Sequence, residues 1–344
     1  MKRKHLWTAA AALAGIAAPF AIEAAQRGID RLRYAPPGEM VIVRGRRMHV
    51  YSEGEGPKTI VFLPGLGTPC PAIDFMPLVT RLRRQFRCVI PEPFGYGYSD
   101  AARRPRTSEN IVEELREGLR AAGFRPPYVL LGHSIAGIYM LTWAARYPSE
   151  VEAVIGDDTS LPTQFDDPEL KQAHAQVRYW PYPLLNRLGL MRLYGRLPLA
   201  ASRKRLSDLS GGDPSRIPRV RSLSARNTLS RTIVDEARRV PQNCRAAQRL
   251  RFPKACRLLH FVAQGSIDSL PTAGFDWLAE HQKQALSVSD GRCVLLPGDH
   301  YLHHTEADAM AREIREFLSQ PQPAPAAPVR PVSPIRRFAP GRKS

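Results

Sequence analysis

Apolar residues along this chain fall into short dense runs that alternate with longer runs at helical spacing. Met40–Val43 and Arg47–Tyr51 flank Gly45-Arg46 and predict a β-hairpin. Thr59–Leu63 is a short apolar run stopped by Pro64-Gly65-Leu66-Gly67, which predicts a buried strand and a turn. Ala72–Phe86 predicts a helix and Arg87–Pro91 the next strand. In Thr107–Ala122 the residues Ile111, Leu115 and Leu119 share one helical face, and Gly123 is the stop. Tyr128–Leu131 is again strand-like and ends at Gly132. Ile135, Tyr139, Met140, Trp143 and Ala144 then recur at helical spacing. Val151–Gly156 predicts a strand that ends in Asp157 and Asp158.

The pattern changes at Ser160. From there to about Ala255 no strand is readable, only short helical runs rich in Arg, Leu and Pro. Alternation resumes with Arg257–Ala263 as a strand, Phe275–Leu286 as a helix, Cys293–Leu296 as a strand and Thr305–Leu318 as a helix. Such alternation predicts a mostly parallel, twisted sheet with helices on both faces. The irregular block is a helical insertion, a lid or cap, after the strand ending near Asp157. The organisation expected is an N-terminal segment over 1–35, a core over 36–159 and 256–319, a helical lid over 160–255, and a Pro-rich basic tail over 320–344. The tail has no core-forming pattern and reads as disordered.

At the N-terminus Lys2, Arg3 and Lys4 precede an apolar stretch over residues 6–22. It falls at the short end for a membrane span, which needs about 20 residues, and is longer than a usual signal-peptide core. It reads as an uncleaved signal-anchor that leaves the rest of the chain outside the cytoplasm. A cleaved signal, giving a secreted or periplasmic protein, and a mitochondrion-type targeting helix are the alternatives. Arg27, Arg31 and Arg33 on the far side weaken the orientation.

The 344 residues suffice for one large core or two modest ones. The net charge of +18 is unevenly spread: residues 201–255 hold 14 Lys/Arg against 4 Asp/Glu. No zinc-finger spacing or RNA-recognition signature accompanies it, so nucleic acid is not expected as a partner. Anionic lipid, an acidic ligand or a general Arg bias accounts for the charge as well. Five cysteines show no C-x-x-C spacing. Cys88 and Cys293 sit in strand-like runs, and Cys244 and Cys256 are a conceivable pair in an oxidising compartment.

Candidate chemistry starts at Ser134. A strand turning sharply into a helix strains the residue at the turn and lifts its side chain clear of the sheet, provided the flanking residues are small. Gly132, Ala136 and Gly137 are small. The motif alone decides little, since chance supplies G-x-S-x-[GA] in roughly one such chain in four. A serine nucleophile also needs a histidine base oriented by a carboxylate, on loops at the carboxyl ends of parallel strands. Two later strand ends offer these: Gly265-Ser266-Ile267-Asp268 and Gly298-Asp299-His300. The order is Ser134, Asp268, His300, with Asp157 and Asp158 as rival sources of the acid. His300, His303 and His304 together resemble a metal cluster but lack the carboxylate and helix context of a zinc site. His133, beside the nucleophile, reads as a packing or hydrogen-bonding residue.

With these residues assembled, the chain over roughly Met40–Leu318 resembles the α/β-hydrolase superfamily, in particular its lidded Ser-Asp-His esterase and lipase-like members. Gly132-His133-Ser134-Ile135-Ala136-Gly137 resembles the nucleophile elbow, and Phe62-Leu63-Pro64-Gly65-Leu66-Gly67 the oxyanion-hole loop. Glu92-Pro93-Phe94-Gly95-Tyr96-Gly97-Tyr98-Ser99 is similar to the D-R-x-G-x-G-x-S loop. Pro64 departs from the usual histidine, Ala136 from the last glycine, and Glu92-Pro93 from Asp-Arg; Asp299 adjoins the base. The resemblance implies Ser134 as nucleophile, His300 as general base, Asp268 as orienting acid, and the backbone N–H groups of Leu66 and Ile135 as oxyanion hole. It also implies a small acyl substrate, no organic cofactor and no metal. Dehalogenases and epoxide hydrolases of this fold carry aspartate where Ser134 stands, so that branch is excluded. Peptidase, amide or C–C hydrolase and acyltransferase chemistry use the same triad. A non-catalytic binding module on the same fold would need none of the three residues.

Overall fold

The computed structural model describes residues 2–197, 199–269 and 275–320. The tail expected to be disordered lies outside them from residue 321 onward. Eight strands form one sheet: β1 (Glu39–Val43), β2 (Arg46–Glu53), β3 (Thr59–Leu63), β4 (Arg87–Pro91), β5 (Tyr128–His133), β6 (Val151–Asp157), β7 (Arg257–Ala263) and β8 (Asp290–Leu296). Their spatial order is β1-β2-β4-β3-β5-β6-β7-β8. β1 and β2 run antiparallel to their neighbours, and β4, β3, β5, β6, β7 and β8 are mutually parallel. The first hairpin turns at Arg44 (φ 51°) and Gly45 (φ 72°), one residue earlier than the sequence suggests. Two positive φ values in a two-residue loop match the twist of the strands they join.

The central strands are buried on both faces, which explains why they read as continuous apolar runs rather than alternating ones. Val61, Leu63, Leu130 and Val154 pack on one side with the helices Ser108–Ala121 and Ala136–Arg146. Ile60, Phe62, Val129, Leu131, Ala153 and Ile155 pack on the other with Met76–Leu82 and Ala307–Ser319. Thr107 begins the first of these helices by accepting a hydrogen bond from the Asn110 backbone N–H. A mostly parallel sheet with helices packed on both faces is the architecture expected from the sequence. The helix expected over 72–86 is broken at Phe75 into Pro71–Asp74 and Met76–Leu82, because Pro77 lacks the N–H that would continue the first turn into the second.

Between β6 and β7 the described residues form helices and no strand. The longest, Arg231–Ala247, is capped by Ser230 and buries Ile233, Val234, Val240, Cys244 and Ala247. All five cysteines are free thiols, so the conceivable Cys244–Cys256 pair is not formed; both are buried in the core against apolar neighbours.

The N-terminal segment differs from the sequence reading. The apolar stretch and the residues assigned to a linker form one helix, Lys2–Arg33. An i,i+4 pair, Glu23 with Arg27, supports it locally. Its second half is tied to the helical insertion. Arg192 reaches Glu23 (2.8 Å) and Asp30 (2.7 Å), and Arg27 donates to the side-chain and backbone oxygens of Asn186 (both 3.0 Å). Among the described residues no helix is long and apolar enough to cross a membrane.

Candidate active site

β3 has β4 on one side and β5 on the other, so the chain reverses direction of winding there. Loops leaving the carboxyl ends of β3 and β5 meet over that switch point, the usual place for a ligand in such sheets. β5 ends at His133, and Ser134 follows with φ 54°. A residue with a side chain tolerates that conformation only at a cost of about 1–3 kcal/mol, recovered from the surrounding packing. The packing is tight. A Cβ on Gly132 would lie 2.8 Å from Ala136 Cβ, and one on Gly137 would lie 2.7 Å from the Ser160 carbonyl oxygen. The small residues flagged in the sequence are therefore required by contact.

His300 joins the two halves of the site. Its Nε2 is 3.0 Å from Ser134 Oγ, and its Nδ1 is 2.6 Å from Asp158 Oδ2. Asp158 follows β6 with φ 44° and is fully buried. Its Oδ2 also accepts the Ser266 hydroxyl (2.5 Å), while Oδ1 accepts Trp277 Nε1 and the Ala263 backbone N–H (both 3.1 Å). Burial pushes this carboxyl up, but the hydrogen bond and charge of His300, then Ser266 and Ala263, outweigh it and hold the group below its ordinary value. A carboxylate so held keeps a proton on Nδ1 and leaves the Nε2 lone pair facing the serine.

The carboxylate expected from sequence, Asp268, is not the one on His300. β7 runs directly into a short helix, Gln264–Ser269, which carries Asp268 to the surface. Among the described residues its Oδ1 accepts the Gln264 side-chain amide, four residues back. Asp158, a rival in the sequence reading, takes the position instead. Asp299, beside the base, is exposed.

Asp157 and Asp158 point to different partners. Asp157 Oδ2 is 2.5 Å from His303 Nδ1; His303 Nε2 is 3.2 Å from Asp74 Oδ2, and His304 Nε2 is 2.9 Å from Asp74 Oδ1. The histidines that looked like metal ligands thus bond to carboxylates through these nitrogens. His133 is a hydrogen-bonding residue: its Nε2 donates to the His300 carbonyl (2.9 Å) and so fixes the loop that carries the base. Burial, then the neighbouring charges of His300 and His303, holds His133 well below its usual value, so it stays neutral.

The expected oxyanion donors, Leu66 and Ile135, lie on the two loops that meet here, Ile135 directly after Ser134 and Leu66 in the turn after β3. Among the described residues neither backbone N–H has an intramolecular acceptor. A Cβ on Gly65 would be 2.5 Å from His133 Nδ1, so the turn lies against the elbow. The next N–H, of Gly67, donates to the Tyr96 hydroxyl (3.2 Å), which donates to Glu236 Oε1 (2.7 Å) on the helical insertion. Tyr139 donates to the same oxygen at 2.8 Å. Sequence reading missed this buried set, because nothing local links residues 67, 96 and 236. Glu92 is likewise more than a replaced family residue. Its carboxylate accepts from the Tyr98 and Ala72 backbone N–H groups and meets His49, and a Cβ on Gly97 would lie 1.7 Å from it.

Tyr96 is therefore a positioning residue for the turn that carries Leu66. Tyr96→Phe is expected to lower kcat on an activated acyl ester by about 10-fold, with KM nearly unchanged, since a small misplacement of a donor acts on the transition state. An unchanged kcat would remove Tyr96 from that role.

Comparison with known proteins agrees with the fold. A family model described as alpha/beta hydrolase fold matches residues 58–187. The chain is 38% identical over 128 residues to YbdG of Bacillus subtilis (strain 168), a match covering 37% of this chain but 39% of that protein's length. It is 29% identical over 287 residues to mouse serine hydrolase BPHL, covering 81% of this chain and 85% of BPHL. Among solved structures it superposes on Cfl2 of Burkholderia cenocepacia with a TM-score of 0.63 at 19% identity, covering 81% of this chain and 94% of that one. It also superposes on the enol-lactonase of Burkholderia xenovorans LB400, with a TM-score of 0.56 at 20% identity over 82% and 100%. The family model and the relatives support the α/β-hydrolase superfamily and a hydrolase.

Proposed function

We propose that this protein is a serine hydrolase that cleaves a carboxylic ester or similar acyl bond through an acyl-enzyme. The observation that carries the proposal is His300, hydrogen-bonded to Ser134 Oγ through one nitrogen and to buried Asp158 through the other. His300 Nε2 takes the hydroxyl proton as Ser134 attacks the carbonyl carbon. The N–H groups of Leu66 and Ile135 receive the developing oxyanion. The proton then passes from His300 to the leaving group, and water, activated by the same nitrogen, releases the acid. Every residue in this sequence belongs to the chain, and no cofactor takes part.

The helical insertion acts as a lid in this reading: Ile233 approaches Gly67, and Glu236 is bonded to Tyr96 beneath it. Amide, C–C or acyl-transfer chemistry on the same residues is the alternative, decided by the substrate. The membrane tether proposed for residues 6–22 is independent of the chemistry.

A fluorophosphonate probe tests the reading directly. One adduct per chain is expected, mapping to Ser134. Absence of labelling, or labelling mapped to another serine, would refute it.

A further inference from the structure

Away from Ser134, the N-terminal helix, the hairpin and the helix Ile217–Asn227 enclose a cavity of about 360 Å³. Five arginines line it: Arg27, Arg31, Arg46, Arg47 and Arg226. Two acids, Asp30 and Asp100, also line it, but Asp30 is taken by Arg192 and Asp100 by Arg47. Arg27 is paired with Glu23. Arg31, Arg46 and Arg226 form no ion pair among the described residues, although the charges of Glu92 and Asp100 act on Arg226 and that of Arg46 acts on Asp100. Arg46 donates to the Ala101 carbonyl, Arg226 to the Gly97 carbonyl and Asn227, and Arg31 stands exposed. Burial, then the charge of Arg31, lowers the pKa of Arg226, so like charges face each other here across an incompletely solvated space. Guanidinium groups gathered here with only partial compensation by acids cost free energy that an anion would remove.

We propose that this cavity is a second site that binds a phosphate ester, held by Arg31, Arg46 and Arg226. Guanidinium groups match phosphate oxygens in pairs, and the volume lies in the range of small-molecule sites rather than of a lone ion. None of Ser134, Asp158, His300, Leu66 and Ile135 lines it, so it is separate from the candidate active site. The phosphate can come from a soluble ester or from an anionic lipid headgroup, and the test separates these.

Full-length protein is titrated with inorganic phosphate by calorimetry, and in parallel sedimented with vesicles of phosphatidylcholine alone or mixed with phosphatidylglycerol. One saturable phosphate site is expected, weakened at least about 10-fold in Arg31→Glu and Arg226→Gln and unchanged in Arg249→Glu, which removes an exposed charge elsewhere. If Arg31→Glu also abolishes the preference for anionic vesicles while Arg249→Glu keeps it, the source is lipid. If phosphate binds and that preference is the same in both variants, the source is soluble. Should Arg226→Gln lose its fold by circular dichroism, Arg31→Glu decides alone, because its side chain is exposed. No phosphate binding together with equal vesicle preference in Arg31→Glu and Arg249→Glu overturns the proposal.

Discussion

Asp158→Asn is expected to lower kcat by about 10³- to 10⁴-fold, whereas Asp268→Asn leaves it within about twofold. The asymmetry follows from where the two carboxylates lie. Asp158 is fully buried, 2.6 Å from His300 Nδ1, and fixed by Ser266, Trp277 and the Ala263 N–H. An asparagine there presents an amide N–H or a neutral oxygen to Nδ1, so the ring is no longer held as the tautomer whose Nε2 accepts the Ser134 proton. Asp268 is exposed and bonded to Gln264. Ser134→Ala in the same assay should be the most severe change, on the order of 10⁶-fold, with the residue left over coming from the oxyanion hole and binding alone. Steady-state kinetics of the three variants on one activated ester, with circular dichroism to check folding, compare them directly. Loss of activity in Asp268→Asn with Asp158→Asn unaffected would restore the acid to β7 and remove the proposed triad.

Ser134 and His300 were legible because each is announced by its backbone. Small residues on both sides mark the elbow, and a strand end followed by Gly-Asp-His marks a loop at the sheet's carboxyl edge. The sheet was legible for a related reason: strands buried on both faces leave uninterrupted apolar runs. Asp268 misled because Gly265-x-x-Asp looks like a loop, while the chain instead coils at once into the helix Gln264–Ser269. The available signal was the pair Asp157-Asp158 at the end of β6. Two adjacent acids at a buried strand end require two partners on opposite sides, and the histidines of 300–304 supply them. No sequence pattern gives the docking of the N-terminal helix, which depends on Arg192 meeting Glu23 and Asp30 across more than a hundred residues. The same holds for the Gly67–Tyr96–Glu236 contacts, which exist only once the insertion is folded onto the core.

His303→Gln is the second large effect expected, here on stability. His303 is fully buried with a carboxylate on each ring nitrogen, Asp157 at 2.5 Å and Asp74 at 3.2 Å. Burial alone would drive the imidazole neutral, but Asp157 and Asp74 outweigh it and raise its pKa to about 10. Burial also pushes Asp74 up, and His303 foremost brings it down below its ordinary value. A histidine raised in the folded state contributes fully below its unfolded pKa of about 6.5, and that contribution disappears as pH rises toward 10. A carboxylate lowered in the folded state contributes above its unfolded value of about 4 and loses that contribution as pH falls. The cluster is therefore strongest between about pH 4 and 6.5. Glutamine fills part of the space but carries no charge, leaving buried Asp157 without its cationic partner and Asp74 with His304 alone, at a cost of about 3–5 kcal/mol near pH 6. Urea unfolding of both proteins at pH 6 and pH 9.5 measures it, because other titrating groups cancel in the difference. The gap should narrow at the higher pH; one that stays constant or widens would mean that His303 is not the buried cation described.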